Sequence, residues 1–203
     1  MGRGRHVSRI PGAAVASDRL EPARALWRDA PQRYGRVSRG FHWLMAALFA
    51  WQFAGALLYV GLGDTAVTRL VGGSHFTLGA TLFALALLRG AWGLANLPRR
   101  PPHRGRLGRA AVAGHAVIYA LMIVVPGLAL LRQYGSGKPF TPYGIPLMPG
   151  RDDKIAWMVA PGDLLHHWLA FLLLAILVGH VAMAVLHRAL WKDDVLAQMA
   201  GHS

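Results

Sequence analysis

The chain has 203 residues, 54% of them hydrophobic and only 15% charged, whereas a soluble domain of this size carries about 25% charge. Its formal net charge is +13, but the arginines lie in connections between long apolar runs and form no basic face interleaved with aromatic residues, which argues against a nucleic-acid partner. The absence of cysteine excludes disulfides, iron–sulfur ligation, thiolate zinc sites and covalent cofactor attachment through Cys-x-x-Cys-His.

Residues 1–40 contain nine arginines and no apolar run beyond 12–16, so no cleavable signal peptide is expected. Residues 1–30 read as a disordered, basic N-terminal extension that sets topology and touches anionic lipid. Four segments are then long and apolar enough to cross a bilayer as helices. The first covers 41–61 and carries no charge. The second covers 70–88 and extends past Arg89 toward residue 95. The third covers 107–131, with Pro126 placed to kink it. The fourth covers 164–186. The fold class is therefore all-α, an integral membrane four-helix bundle. Sixteen Lys and Arg fall on the side of the termini and five on the other, which predicts that both termini are cytoplasmic. Trp27, Trp43, Trp92 and Trp191 cluster toward the same side, as interface anchors do.

Ionisable side chains inside hydrocarbon are costly and mark function. His42 sits near the cytoplasmic face and His75 near the outer face. On the fourth span His166 lies near the outer face and His180 nearer the cytoplasm. Fourteen residues separate these two, which returns to nearly the same helix face after a rise of roughly 21 Å. Two depth-matched pairs follow, His42 with His180 and His75 with His166. Paired neutral imidazoles flanking a flat apolar macrocycle suit b-type haem, held without thioether bonds. Gly72, Gly73 and Gly79 near His75, Gly179 beside His180, and Gly55 and Gly114 provide small residues for close approach. Arg89, fourteen residues beyond His75, is placed for a haem propionate at the inner depth, with Arg36 and Arg39 as further candidates. His187 returns to the ligand face at the cytoplasmic rim, where a histidine hydrogen-bonds a quinone or simply snorkels to the interface. His167 is off the common face and reads as interfacial. His115 reads as a packing residue or as a neighbour of the inner pair. For any one of these histidines the plain alternative is an interhelical hydrogen bond. The long outer connection, about 132–162, holds five Gly, five Pro and the aromatics Tyr134, Phe140, Tyr143 and Trp157, a composition that suits a cap over the outer pair.

The order of these pieces resembles the bacterial cytochrome b561 family. The resemblance rests on Arg33-Tyr34 before Phe41-His42-Trp43, then Ser74-His75-Phe76-Thr77-Leu78-Gly79 with Leu88-Arg89. It continues through Gly114-His115-Ala116-Val117-Ile118-Tyr119, Pro126-Gly127, His166, Gly179-His180 and Leu190-Trp191-Lys192-Asp193. It spans about 31–195, which becomes the four-helix cytochrome b domain, followed by a short tail at 196–203. The resemblance implies two haems b, with axial iron ligands His42 and His180 for one and His75 and His166 for the other. It implies an oxidoreductase of the bacterial inner membrane that moves electrons between a periplasmic donor and ubiquinone. The donor is a small molecule or a protein, and superoxide in one branch of the family. The residue matching the family's quinone-side histidine is His187. The alternative is a haem b anchor subunit that links a partner dehydrogenase or hydrogenase to the quinone pool. A haem-free membrane protein is the remaining reading.

Overall fold

The computed structural model describes residues 27–31, 33–100, 105–191 and 199. Residues 1–26 of the expected extension at 1–30, and most of the C-terminal tail, lie outside the described residues.

Helix α1 covers Arg36–Leu62, a run with high apolar content and no charge beyond Arg39. It ends because Gly63 turns to φ +66°, where its N–H still reaches the Tyr59 carbonyl at 2.9 Å. A glycine takes this left-handed conformation without steric cost. Helix α2, Ala66–Gly72, opens on a reciprocal cap between Thr65 and Thr68. Helix α3 covers His75–Ala95, α4 covers Gly105–Gly135 and α5 covers Ala156–Leu186. A π-helical turn, His187–Trp191, continues α5.

Four stretches are long and apolar enough to cross a membrane: Arg36–Leu62, Ala66–Ala95, Gly105–Gly135 and Ala156–Leu190. The all-α membrane bundle expected from sequence is thus the observed fold. Three details differ. The second span is broken at Gly73-Ser74, where the Ser74 hydroxyl donates to the Val71 carbonyl at 2.9 Å. Two glycines and a backbone-seeking serine favour such an interruption. The fourth helix starts at Ala156, eight residues before the expected 164, because the chain enters it directly from the loop. The third helix continues through Pro126 to Gly135.

Helices α4 and α5 share the most extensive contact in the bundle. Gly162 makes it possible, since an added Cβ there would lie 2.6 Å from the Arg132 Cβ. Small residues of this kind let membrane helices approach closely, where dispersion rather than the hydrophobic effect holds them together.

The core is a single apolar layer at mid-bundle. It consists of Met45 from α1, Ala86 from α3, Ile118, Leu121, Met122 and Val125 from α4, and Leu173 from α5. Elsewhere large apolar side chains face outward, among them Trp51, Leu57, Leu87, Val124, Leu172 and Val178. Such an inverted surface is stable only against lipid.

The N-terminal segment is tied to this frame before α1 begins. Asp29 is buried, with its carboxylate accepting from the Gly35 N–H at 2.9 Å, the Ser38 hydroxyl at 2.6 Å and Arg100 Nε at 3.1 Å. Trp92 Nε1 donates to Ser38 at 3.0 Å, and the Arg100 guanidinium lies over the Tyr34 ring at 5.9 Å. Burial pushes the Tyr34 phenol above its ordinary range, with Arg100 opposing. Asp29 therefore clasps the entry to α1 against the end of α3.

Candidate functional site: two histidine pairs in the bundle

The two histidine pairs expected from depth come together. The rings of His75 and His166 have centroids 6.2 Å apart at an interplanar angle of 77°. The rings of His42 and His180 are 6.3 Å apart at 67°. On α5 the two members are fourteen residues apart, roughly 21 Å along the axis. The apolar layer around Leu173 and Ala86 lies between them.

Each pair is positioned by neighbours from other helices. At the end of the bundle that carries the 136–155 loop, Gln52 Nε2 donates to the His75 carbonyl at 3.0 Å and Trp51 Nε1 donates to the Ser74 hydroxyl at 3.0 Å. These bonds from α1 hold the first turn of α3. His166 Nδ1 lies 3.0 Å from the Val125 carbonyl, which can only accept, so Nδ1 carries a proton and the neutral ring has its lone pair on Nε2. Val125 precedes Pro126. Gln52 Oε1 is buried with no hydrogen-bond partner, leaving a spare acceptor on the residue that holds His75.

At the end where α1 begins and α5 finishes, three more groups converge on the other pair. Arg89 Nη2 lies 3.3 Å from His42 Nδ1, and the same guanidinium stands 5.6 Å from the centre of the Tyr119 ring. His115 has its ring centroid 5.2 Å from that of His180, with Nδ1 2.7 Å from the Ala111 carbonyl of its own helix. His115 is therefore a neighbour of this pair. Arg36 is directed elsewhere, with its guanidinium 5.7 Å from the Trp27 ring. His187 is half-buried and opens the π-helical turn. His167 is exposed and lies against Trp168.

The spacing can be tested against a metal held between the rings. An imidazole nitrogen about 2 Å from a metal on each side puts the two ring centroids roughly 6 Å apart. Both pairs meet that requirement. His166 also shows the backbone hydrogen bond that orients a metal-bound histidine through its other ring nitrogen. Gly114 and Gly179 have open space where a Cβ would stand, beside His115 and His180. Gly55 serves a different purpose from the one expected, since its face is filled by Val71 at 3.2 Å and lets α1 and α2 approach. Among the described residues, no cluster of three or more His, Asp or Glu offers an all-protein metal site. The donor set therefore suits a metal that brings its own equatorial ligands, as a porphyrin iron does.

Sequence reasoning missed two contributors. Gln52 lacks any motif, and its signal is only that of an amide within a charge-free span. The Asp29–Arg100 link joins residues far apart in sequence, and nothing in the sequence sets Asp29 apart from Asp18 and Glu21 among the early arginines.

A multi-pass bundle that presents two imidazole pairs at separate depths is the framework of a membrane cytochrome. Residues 33–202 match the family model described as prokaryotic cytochrome b561. The chain is also 30% identical over 178 residues to cytochrome b561 homolog 2 of Escherichia coli (strain K12), covering 86% of this chain and 95% of that protein. The chain belongs to the prokaryotic cytochrome b561 family. It is a membrane-spanning haem b protein of electron transfer.

Proposed function

We propose that this protein carries electrons across the bacterial inner membrane between a donor on the periplasmic side and ubiquinone, using two haems b. The observation that carries this reading is the pair of imidazole pairs with ring centroids 6.2 and 6.3 Å apart at opposite ends of the core. His75 and His166 would hold one haem, and His42 and His180 the other. Each supplies a reversible one-electron iron couple when bound.

The protein's own groups have defined tasks in this scheme. His166 donates its Nδ1 proton to Val125, which fixes the tautomer that leaves Nε2 free for iron. Arg89 has only donors, so its contact uses His42 Nδ1 as acceptor. A His42 bound through Nε2 carries its proton on Nδ1, so Arg89 would turn away and become available to a propionate. The apolar layer between the pairs excludes water and protons from the electron path.

The arginine-rich segments support a cytoplasmic location of both termini through the positive-inside rule. The loop end then faces the periplasm and receives the donor. A cavity of about 540 Å³ at that end is lined by Phe76, Thr77, Arg132, Lys138 and Phe140, and the Phe76 ring lies 6.1 Å from that of His75. Lys138 on its wall, with Arg132 held in an ion pair by Asp163, favours a small anion such as superoxide. His187 marks the cytoplasmic rim, where it would hydrogen-bond ubiquinone. The π-helical turn that it opens supports this, because such turns recur at functional sites.

The test is a reduced-minus-oxidised spectrum with haem quantified per chain. Two b-type haems are expected in the parent, and one in each of His75→Ala, His166→Ala, His42→Ala and His180→Ala. Retention of two haems in any of these variants overturns the ligand assignment. Superoxide-driven reduction of a ubiquinone analogue in proteoliposomes then tests the substrates. Co-purification of a soluble dehydrogenase or hydrogenase, with no superoxide activity, would favour an anchor subunit instead.

A further inference from the structure

We propose that residues 140–148 of the long loop form a membrane-immersed hairpin, seated among the acyl chains of the leaflet at the loop end. The hairpin is closed by an isolated bridge between Phe140 and Met148, with N–H donation in both directions at 2.9 and 3.1 Å. Its tip is the tight turn Pro142–Gly144, where Tyr143 takes φ +55°.

Three observations place it in lipid. The first is position. The turn abuts α3, and the Tyr143 hydroxyl lies 2.9 Å from Thr81 Oγ1. Thr81 is six residues into α3, about 9 Å along the axis from His75, and lies near the middle of the span Ala66–Ala95. The second is surface. Tyr143, Ile145 and Leu147 are 70%, 58% and 59% exposed and continue the lipid-facing surface of the spans. Residues 139–150 carry no charge, whereas Arg151, Asp152, Asp153 and Lys154 follow at once. That step marks the passage from hydrocarbon to headgroups and water.

The third is the backbone. A backbone polar group that leaves water costs free energy unless it is paired. Four of the twelve residues from 139 to 150 are prolines and have no N–H. Five of the other eight, Phe140, Gly144, Ile145, Leu147 and Met148, donate to carbonyls within the hairpin. A loop built for water has no need of this economy of donors. The partner is the acyl region of a phospholipid leaflet.

The natural absence of cysteine allows a clean test. Ile145→Cys and, separately, Leu147→Cys are labelled with an environment-sensitive fluorophore, and the holoprotein is reconstituted into phosphatidylcholine vesicles. Lys154→Cys serves as the reference on the same loop. Both hairpin probes are expected to emit to the blue of the reference. They should lose severalfold more fluorescence to acyl-chain nitroxide lipids, and severalfold less to aqueous iodide. Haem content per chain certifies that each labelled protein is folded. Iodide quenching equal to that of Lys154→Cys at both positions, with no effect of nitroxide lipid, overturns the proposal.

Discussion

Single side chains decide how each imidazole pair is held. Arg89 is the only arginine that the structure brings to a histidine of either pair among the described residues, through Nη2 at 3.3 Å from His42. Removing its charge should make reduction at that end harder. Arg89→Gln is expected to lower the midpoint potential of the adjacent haem by on the order of 50–100 mV, the effect of one charge at close range in a partly screened site. Redox potentiometry resolves this, and an unchanged potential would remove Arg89 from the site. His187→Gln should slow ubiquinone reduction severalfold while leaving haem content intact, since the residue lies beyond the pairs. Normal turnover with ubiquinone would exclude it as the quinone ligand. The carboxylates divide in the same way. Asp29 is buried with Arg100, whereas Asp64 and Arg69 form a largely exposed pair. Asp29→Ala should cost about 2–4 kcal/mol and lower the melting temperature in detergent, because it strands buried donors. Asp64→Ala should change stability by no more than about 0.5 kcal/mol.

At the scale of elements, the pattern of helices is written in runs of apolar residues, but their contacts depend on particular small residues. Gly162 permits the α4–α5 approach, and Gly61 in α1 has nothing within 4 Å of an added Cβ. Gly162→Val is expected to destabilise the bundle by about 2 kcal/mol or more through overpacking, with loss of monodisperse protein in detergent. Gly61→Ala should be neutral or slightly stabilising. Size-exclusion profiles and thermal melts of the two variants should therefore diverge. The break in the second span at Gly73-Ser74 is equally local. Gly72-Gly73-Ser74 signals it in the sequence, but whether the helix stops there depends on the Ser74 hydroxyl bond to Val71, which is a matter of local backbone geometry.

For the whole molecule, the loop lies at the opposite end of the bundle from the start of α1 and the end of α5. The distribution of arginine predicts which end faces the cytoplasm. In intact cells, a membrane-impermeant maleimide should label Asp152→Cys and spare Ser203→Cys until the membrane is permeabilised. The reverse pattern would invert the topology and with it the assignment of donor and quinone ends.

The sequence by itself determined the four spans and the histidines at their depths, together with the side of the membrane that its charges favour. It could do so because hydrophobic length and helical periodicity are properties of consecutive residues. His166 and His180 share a face for that reason alone. Only the tertiary structure decided what surrounds them. The orientation of Arg89 toward His42, the grip of Gln52 on His75, the Asp29–Arg100 clasp and the reach of Tyr143 to Thr81 all join different parts of the chain. The physical reason is that a buried polar group must find its partner wherever packing brings one, and packing is set by the three-dimensional fit of helix surfaces rather than by any local pattern.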